Sequence, residues 1–506
     1  MQFVVTGGTG LVGRAVVRAC IRGGHHARVV VRHVPDYARI DDPVLREATY
    51  VAGDVSERMS LRGAFDGADV VVHAAGIARE QRPADTFQRV NVEGTRHVIW
   101  ECSLAGNPHL VMLSSLGADR GRSEYHASKR EAERLVASCK GPWTILRPGN
   151  VYAAEGGELA LFLELMRLLP VVPIVGGDDT PFQPVTAADL ARAVVECAGR
   201  CDLHSRILEI AGLELTSQRD LHDRISRLID KRPLLLPLPR ILALAGSSAL
   251  ELLRIDPPVW RDQLQMIRDG NVVTNQNENA LRDVLGIEPR SLDHGLREIA
   301  HDTPEQFPDR GSGRVVRRRF WVEVTDCSMS PAALITLLRR DFTTLMPQSL
   351  IDVGTEEISE SELTPGAMIS LALPVRGHVQ IRVEEVTRYS VTCVTLDGHP
   401  LAGVVRFLAE QRADCIRFEV QTIDRPRNAM DRVVMALLGT HLKRVTWLTM
   451  LRNVAERSGG QLARGPIIDE ESLDEQKQSR VQDWVHELVA RRLEQNARSH
   501  QPASAG

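Results

Sequence analysis

Aromatic residues make up only 4% of the 506-residue chain, and its eight cysteines include no CxxC pair. The first scarcity weighs against a surface that stacks nucleic-acid bases, which needs exposed rings along a basic groove. A net charge of only −4 adds to this, since no excess of Lys and Arg marks a phosphate-binding face. Nucleic acid is therefore not expected as a partner. The cysteines (Cys20, Cys102, Cys139, Cys197, Cys201, Cys327, Cys393 and Cys415) are scattered. Cys197 and Cys201 could share a helix face, but no Cys or His pair follows at metal-ligand spacing. No metal site is expected, and the thiols read as reduced and buried in a cytoplasmic protein.

Long apolar runs are missing too. The chain opens on a strand-like "QFVVTGG" rather than a basic segment followed by an apolar one, so no secretory signal is expected. The stretch "PLLLPLPRILALAGSSALELL", residues 233–253, contains Arg240 and three prolines. It lacks the run of about 18 apolar residues that a membrane span needs. It reads as core or as a docking surface, with peripheral membrane contact as the alternative.

What is present is ordinary for a globular chain: 43% hydrophobic and 25% charged residues. At roughly 150 residues per domain, the length suits about two to four domains. Up to residue 302, β-branched runs ("FVVTGG", "ARVVVR", "VVVHAAG", "LVMLSS", "TILRPG") stop at Gly, Ser or Pro and alternate with amphipathic segments. That alternation predicts an α/β fold, a Rossmann-type doubly wound parallel sheet covered on both faces. Residues 303–319 read as a linker, with Arg317, Arg318 and Arg319 as its solvated end. Residues 320–457 change grammar: a strand, a helix opening at "SP", several strands joined by turns such as "DGHP", and a long helix from about Asn428 to Ala455. This predicts a separate α+β domain of antiparallel type. Residues 458–506 read as a polar, partly helical tail.

The run "VVTGGTGLVGRAVV" sets Gly7, Gly10 and Gly13 between a strand and a helix. Glycines let the backbone turn sharply beside a pyrophosphate, and the helix N-terminus offers free N–H groups and a favourable dipole. Thr9, Leu11 and Val12 belong to the same cofactor loop. Arg32 ends the second strand, in the slot about 20 residues on that reads the ribose. An arginine there, with His33 beside it, favours NADP over NAD, and NAD stays the alternative.

Further marks follow in order: "AGDV", "HAAG", "NVEGT", "SSLGA", "YHASK" and "RPGNVY". With the glycine loop, this set resembles the extended or atypical short-chain dehydrogenase/reductase superfamily, also called NAD(P)-dependent epimerase/dehydratases, over about the first 300 residues. The resemblance implies that Asp54 and Val55 flank the adenine and that Ala74, Ala75 and Gly76 line the ribose side. Pro148 and Val151 would touch the nicotinamide end, and Asn91 and Ser114 complete the cofactor set.

In "SEYHASKREAERL", Tyr125 and Lys129 stand four residues apart and so share a helix face. A phenol titrates near pH 10, and a neighbouring ammonium moves it down toward neutrality. The pair therefore suits acid–base chemistry, with Lys129 also reaching the nicotinamide ribose. The resemblance makes Ser115 the residue that holds the substrate oxygen. Ser114 is the alternative, because relatives with an "S-x-L-G-A" pattern align the other way. Two features depart from the sugar-nucleotide enzymes: only ten residues separate Ser115 from Tyr125, and "GADRGR" replaces "YG". Together with "LFLELMRLLPVVPIVGGDDTPFQPVTAADLARAVV" they resemble the atypical subgroup that includes the dehydrogenase-like accessory subunit of respiratory complex I, where NADPH is structural.

The expected function is an NADP-dependent oxidoreductase acting on a carbonyl or alcohol of an apolar small molecule through Ser115, Tyr125 and Lys129. The alternatives are a non-catalytic NADP(H)-binding assembly or redox-sensing subunit, and a nucleotide-sugar epimerase or dehydratase. In the second domain, "LDGHPLAGVVRF" and "FEVQTIDRPRNAMDRVVMALLG" resemble an uncharacterised bacterial and plant family of START-like, helix-grip type. That resemblance implies an apolar ligand, with His399 and Arg425 as structural residues in turns.

Overall fold

The computed structural model describes residues 1–499 apart from 38–39, 41, 81–84, 169–170, 176–179, 230–231, 239–270, 276–277, 302–304, 348–351, 355–361, 374–376, 428–430, 433–434 and 436–439. Two units divide the chain, the first comprising residues 1–166 and 171–302, the second 167–170 and 303–506.

The strands of the first unit are β1 (Gln2–Thr6), β2 (His26–Val31), β3 (Thr49–Ala52), β4 (Val70–His73), β5 (His109–Leu113), β6 (Trp143–Pro148), β7 (Val151–Ala153), β8 (Gly156–Gly157), β9 (Val171–Val175), β10 (Val185–Thr186), β11 (Arg206–Ile210) and β12 (Leu234–Leu238). Its helices are α1 (Leu11–Arg22), α2 (Pro43–Arg46), α3 (Gly94–Leu104), α4 (Glu124–Ala137), α5 (Glu158–Leu168), α6 (Ala187–Ala198), α7 (Gln218–Leu228) and α8 (Leu292–His301). Seven strands form one sheet in the order β11-β6-β5-β4-β1-β2-β3, and every neighbouring pair is parallel. Both faces are buried. Phe3, Val5, Val29 and Val72 pack with Val16 and Val17 of α1 on one side. Val4, Val71 and Ile145 pack with Val98 of α3 and Ala132 of α4 on the other. After β1 the chain turns one way to β2 and later returns on the other side as β4. This reversal opens a crevice at the carboxyl ends of the strands, where open α/β sheets bind ligands.

The second unit contains β13 (Val316–Thr325), β14 (Asp352–Gly354), β15 (Met368–Leu373), β16 (Gly377–Val386), β17 (Ser390–Thr395), β18 (Leu401–Arg412), β19 (Cys415–Pro426) and β20 (Gln461–Ser472). Its helices are α9 (Pro331–Leu345), α10 (Thr440–Arg457) and α11 (Glu475–Ser499). All eight strands form an antiparallel sheet ordered β14-β15-β16-β17-β18-β19-β13-β20. Period-two alternation assigns the faces. Val379, Ile381 and Val383 join Leu338 and Phe342 of α9 and Met450 and Leu451 of α10. On the opposite face Val394, Val404 and Ile423 pack with Val485 and Val489 of α11.

Several expectations change here. The residues read as linker are held: Gln306 N donates to Thr395 O at 2.7 Å, and Glu305, Gln306 and Phe307 are buried. Arg317, Arg318 and Arg319 lie inside β13, paired respectively with Glu471, with Glu470 at 3.2 Å and with Glu419 at 2.7 Å. Charges that look solvated along the sequence find their partners across the sheet, about a hundred residues or more away. Residues read as a tail form β20, which pairs with β13, and the covering helix α11. Of the long helix expected from Asn428, the described part is α10, and the rest lies mostly outside the described residues. Arg425 lies in β19 rather than a turn, and His399 is buried with its Nδ1 accepting from Leu401 N at 3.1 Å. Cys201 is exposed, against the expectation of buried thiols. Of residues 233–253, Leu234–Leu238 form β12 beside β9, and 239–253 lie outside the described residues. Among the described residues no helix is long and apolar enough to cross a membrane.

Under α11 lies a buried charge cluster. Arg492 donates to Glu384 at 2.7 Å and to Glu305 at 2.6 Å, and Glu305 also receives Arg382. Burial pushes the Glu384 carboxyl up, and Arg492 opposes that shift. Removing one member of a buried ion pair strands the other, at about 3–5 kcal/mol. Arg492→Met should therefore cost about that much in denaturant unfolding of the second unit, whereas a solvated tail would lose nothing measurable.

Candidate functional site

The glycine loop leaves β1 at Gly7, whose φ of +70° lies in the left-handed region. A Cβ on Gly7 would stand 2.6 Å from Ala75 N, and one on Gly13 would stand 2.1 Å from Gly7 O. Gly10 differs: its nearest neighbour would be Gly7 O at 3.4 Å, and Thr9 and Gly10 are exposed. Two glycines thus serve close packing, while the third leaves an open concavity at the start of α1. No side chain caps that helix, so its first-turn N–H groups remain available to an anion. The loop fits a dinucleotide pyrophosphate, and Leu11 and Val12, which follow it at the start of α1, are half-buried.

Around it the expected cofactor residues fall into two groups. Ala74 and Ala75 lie against Gly7, and Gly76 is exposed at the end of β4. A Cβ on Gly76 would lie 3.0 Å from Lys129 Nζ and 3.2 Å from Asn91 Oδ1, so these three residues meet. Pro148 ends β6, where its carbonyl accepts from Leu116 N at 2.8 Å, and half-buried Val151 begins β7. The second group is tied up locally. Asp54 accepts from Ser56 N at 2.9 Å and Ser56 Oγ at 2.8 Å, fixing a turn. Val55 is buried, and its carbonyl is hydrogen-bonded to His97 Nδ1 at 2.8 Å. Arg32 is 65% exposed and sits 3.3 Å from Asp85, in an ion pair that water screens strongly. Sequence reasoning missed Arg14, on the first turn of α1, whose Nε is buried with no hydrogen-bond partner among the described residues.

Helix α4 begins where Ser123 Oγ accepts from His126 N at 3.1 Å, a standard N-cap. Its inner face buries Tyr125, Ser128, Lys129 and Glu133. The Ser115 hydroxyl lies near enough to the Tyr125 phenol to favour its ionised form, and it donates to Leu116 O at 3.1 Å. Lys129 Nζ donates to Leu113 O, at the end of β5, at 3.0 Å. Asn91, in a wide π-type turn ahead of α3, donates to Ser128 Oγ at 3.0 Å and to Ile77 O at 3.0 Å, and accepts from Ile77 N at 2.9 Å. It therefore ties α4 to the segment after β4. Ser114 turns away, donating to Glu133 at 2.5 Å. Glu133 is held in turn by a bidentate Arg147 at 2.9 and 2.7 Å. Of the two serines, Ser115 is the one beside the tyrosine.

The electrostatics differ from expectation at one point. Burial pushes the Tyr125 phenol up, Ser115 opposes the shift, and no lowering comes from Lys129. Burial brings the Lys129 ammonium down to about 8, with Glu133 working against it. A tyrosine protonated at neutral pH beside a lysine that is still mostly charged is arranged to give a proton rather than to take one.

Beyond the expected residues, Asn150 donates to Glu158, and Asn271 donates to Asn150 at 2.6 Å. "RPGNVY" placed Asn150 near the cleft, but nothing in the sequence ties it to a residue 121 positions later. Among the described residues no group of His, Cys, Asp and Glu is placed to hold a metal.

The glycine geometry has a direct test. Gly13→Ala should lower the unfolding midpoint and lose NADPH binding, because its methyl cannot fit beside Gly7 O. Gly10→Ala should keep the midpoint and weaken NADPH binding about tenfold, equivalent to about 1.4 kcal/mol, in a fluorescence titration.

Residues 7–200 match the family described as NAD(P)H-binding. The ceramide reductase of Caulobacter vibrioides is 33% identical over 172 residues, 34% of this chain and 53% of that protein. The chain thus spans about half the length of that relative. The chloroplastic divinyl chlorophyllide a 8-vinyl-reductase of Oryza sativa subsp. indica is 24% identical over 323 residues, 61% of this chain and 77% of that one. The mitochondrial NADH dehydrogenase [ubiquinone] 1 alpha subcomplex subunit 9 of Arabidopsis thaliana is 25% identical over 295 residues, 55% and 71% of the two chains. With the parallel sheet and the glycine loop in place, residues 7–200 of the first unit match the NAD(P)H-binding family on a Rossmann-type fold.

Proposed function

We propose that the chain is an NADP-dependent oxidoreductase that reduces a carbonyl group on an apolar small molecule, with Ser115, Tyr125 and Lys129 as its catalytic residues. The observation that carries this is the burial of Tyr125 and Lys129 one turn apart on α4, with the ammonium anchored at Leu113 O and Ser115 near the phenol. Similarity to two proteins named as reductases supports the class. The Caulobacter protein's name points to a lipid-like substrate, which fits the apolar small molecule. Arg32 and Arg14 are the cations that favour a ribose phosphate and hence NADP.

Bound NADPH supplies the hydride. Ser115 holds the carbonyl oxygen by hydrogen bonding, and Tyr125 gives that oxygen its proton as negative charge develops there. Lys129, whose backbone anchor at Leu113 fixes its position, would hold the nicotinamide ribose through its ammonium. A protonated tyrosine suits the reductive direction.

For the second unit the reading is a START-like module that holds an apolar ligand. Its support is the pair α9 and α10 packed on one face of the antiparallel sheet.

A competing reading is a non-catalytic NADP(H)-binding subunit, favoured by the similarity to the Arabidopsis complex I subunit. Tyr125→Phe separates the two. The enzyme should lose about 10²–10⁴-fold in kcat/KM on a panel of carbonyl compounds, with NADPH affinity changed less than about twofold. A binding subunit turns over nothing, and Arg32→Ala still weakens its NADPH binding.

The pH dependence follows from Lys129. Its ammonium is lowered to about 8, so it carries charge below that pH and loses it above. Reductive kcat/KM should fall above about pH 8, and a profile that stays flat toward the ordinary tyrosine range near pH 10 would contradict the role given to Lys129.

A further inference from the structure

We infer that Asn150, Glu158 and Asn271 form a polar subsite of the substrate cleft that selects a hydrogen-bond donor on the substrate, a hydroxyl or an amide N–H, and turns away phosphate and carboxylate groups. This presupposes the carbonyl chemistry proposed above.

Position comes first. Leu116 N donates to Pro148 O at 2.8 Å, so Asn150 lies two residues beyond the point where β6 touches the residue after Ser115. On the other side, a Cβ on Gly156 would stand 4.0 Å from Leu11 of the glycine loop, and Glu158 follows two residues later. The cluster is therefore bracketed by the serine strand and the cofactor loop. Backbone hydrogen bonds fix it there: Val185 N donates to Asn150 O at 3.0 Å, and Gln183 N to Asn271 O at 2.9 Å.

Polarity follows by a chain of orientation. An ionised carboxylate only accepts, so Glu158 Oε2 turns Asn150 with its Nδ2 inward. That leaves Asn150 Oδ1 to accept from Asn271 Nδ2 at 2.6 Å. Asn271 Oδ1 is then left over, and it is a buried oxygen with no hydrogen-bond partner among the described residues. Glu158 is exposed at the start of α5, and the surrounding protein pushes its carboxyl up from the usual range. Among the described residues no Lys or Arg pairs with it. Arg120, which reaches the same 271–274 segment, is bound to Thr274 at 2.6 Å, to Val272 O and to Glu209 at 3.6 Å.

The cluster thus leaves open two acceptors, Asn271 Oδ1 and the Glu158 carboxylate, beside the second N–H of each asparagine amide. A substrate hydroxyl or amide N–H would satisfy Asn271 Oδ1 and Glu158, whereas a phosphate would leave Asn271 Oδ1 unpaired and meet the like charge of Glu158. Sites built to hydrogen-bond a substrate group discriminate strongly against analogues that lack it.

The test uses the full chain loaded with NADPH, a long-chain α-hydroxy ketone and the phosphate monoester of the same ketone. Binding is measured by calorimetry and turnover by NADPH absorbance. Wild type should bind the hydroxy ketone at least about tenfold more tightly than the ester. Glu158→Gln, which keeps an acceptor for Asn150, should narrow that ratio by gaining on the ester. Asn271→Leu should lose about tenfold on the hydroxy ketone, and Glu158→Gln carries the test if that variant does not fold. Equal or tighter binding of the ester by wild type, or a ratio that Glu158→Gln leaves unchanged, would overturn the inference. Selective binding without turnover of either compound would uphold the subsite and count against the Ser115–Tyr125–Lys129 chemistry. Turnover that is indifferent to Glu158 would do the reverse.

Discussion

An ammonium group taken out of water has to be compensated, and the surroundings of Lys129 are built to do so. Its Nζ donates to the last carbonyl of β5, and Glu133 stands one turn further along the same helix face. Glu133 is itself fixed by Arg147 and Ser114, so the charge is balanced through a network rather than by one contact. Gly76 completes the arrangement, since any side chain there would crowd Nζ and Asn91. A helix that buries Tyr125, His126, Ser128, Lys129 and Glu133 gives up apolar contact area, which is sustained only when those groups are hydrogen-bonded. The same network holds Tyr125 where Ser115 can reach it.

The parallel sheet turns this local arrangement into a cleft. Because β1 and β4 are neighbours whose chains leave in opposite directions, the glycine loop and the "HAAG" segment face each other at the strand ends. Strands β5 and β6 place Ser115 and Asn150 on the same rim, and α4 brings Tyr125 and Lys129 to it. The glycine loop, Tyr125 and Asn150 thus come from different parts of the chain and meet at one edge of one sheet. The second unit follows other rules. Its antiparallel sheet buries apolar side chains beneath α9 and α10 and a charged cluster beneath α11, which makes its C-terminal helix part of its core.

Features set by short-range periodicity were legible from the sequence. The glycine loop, the alternation of strands and helices and the i, i+4 spacing of Tyr125 and Lys129 all lie within a few residues of one another. Ser114 and Ser115 were not separable, because adjacent residues at a strand end point opposite ways and only the packed partners, Glu133 and Tyr125, tell them apart. The direction of the Tyr125 shift was missed for a related reason: burial outweighs a neighbouring charge, and burial is a property of the assembled fold. Arg317–Arg319 and the residues after 457 looked solvated because their partners lie on distant strands of the same sheet. Glu158 and Asn271 carry no local signal at all, since a hydrogen-bonded relay through Asn150 exists only once β6, α5 and the 271–274 segment have come together.

The central claim is that the Ser115–Tyr125–Lys129 cluster serves hydride transfer to a carbonyl carbon. Incubating the full chain with C4-deuterated NADPH and a mixture of lipid-like ketones and aldehydes, then analysing the alcohols by mass spectrometry, tests it most directly. Deuterium is expected on the carbinol carbon of at least one product. NADPH that binds tightly while no product gains deuterium would contradict it.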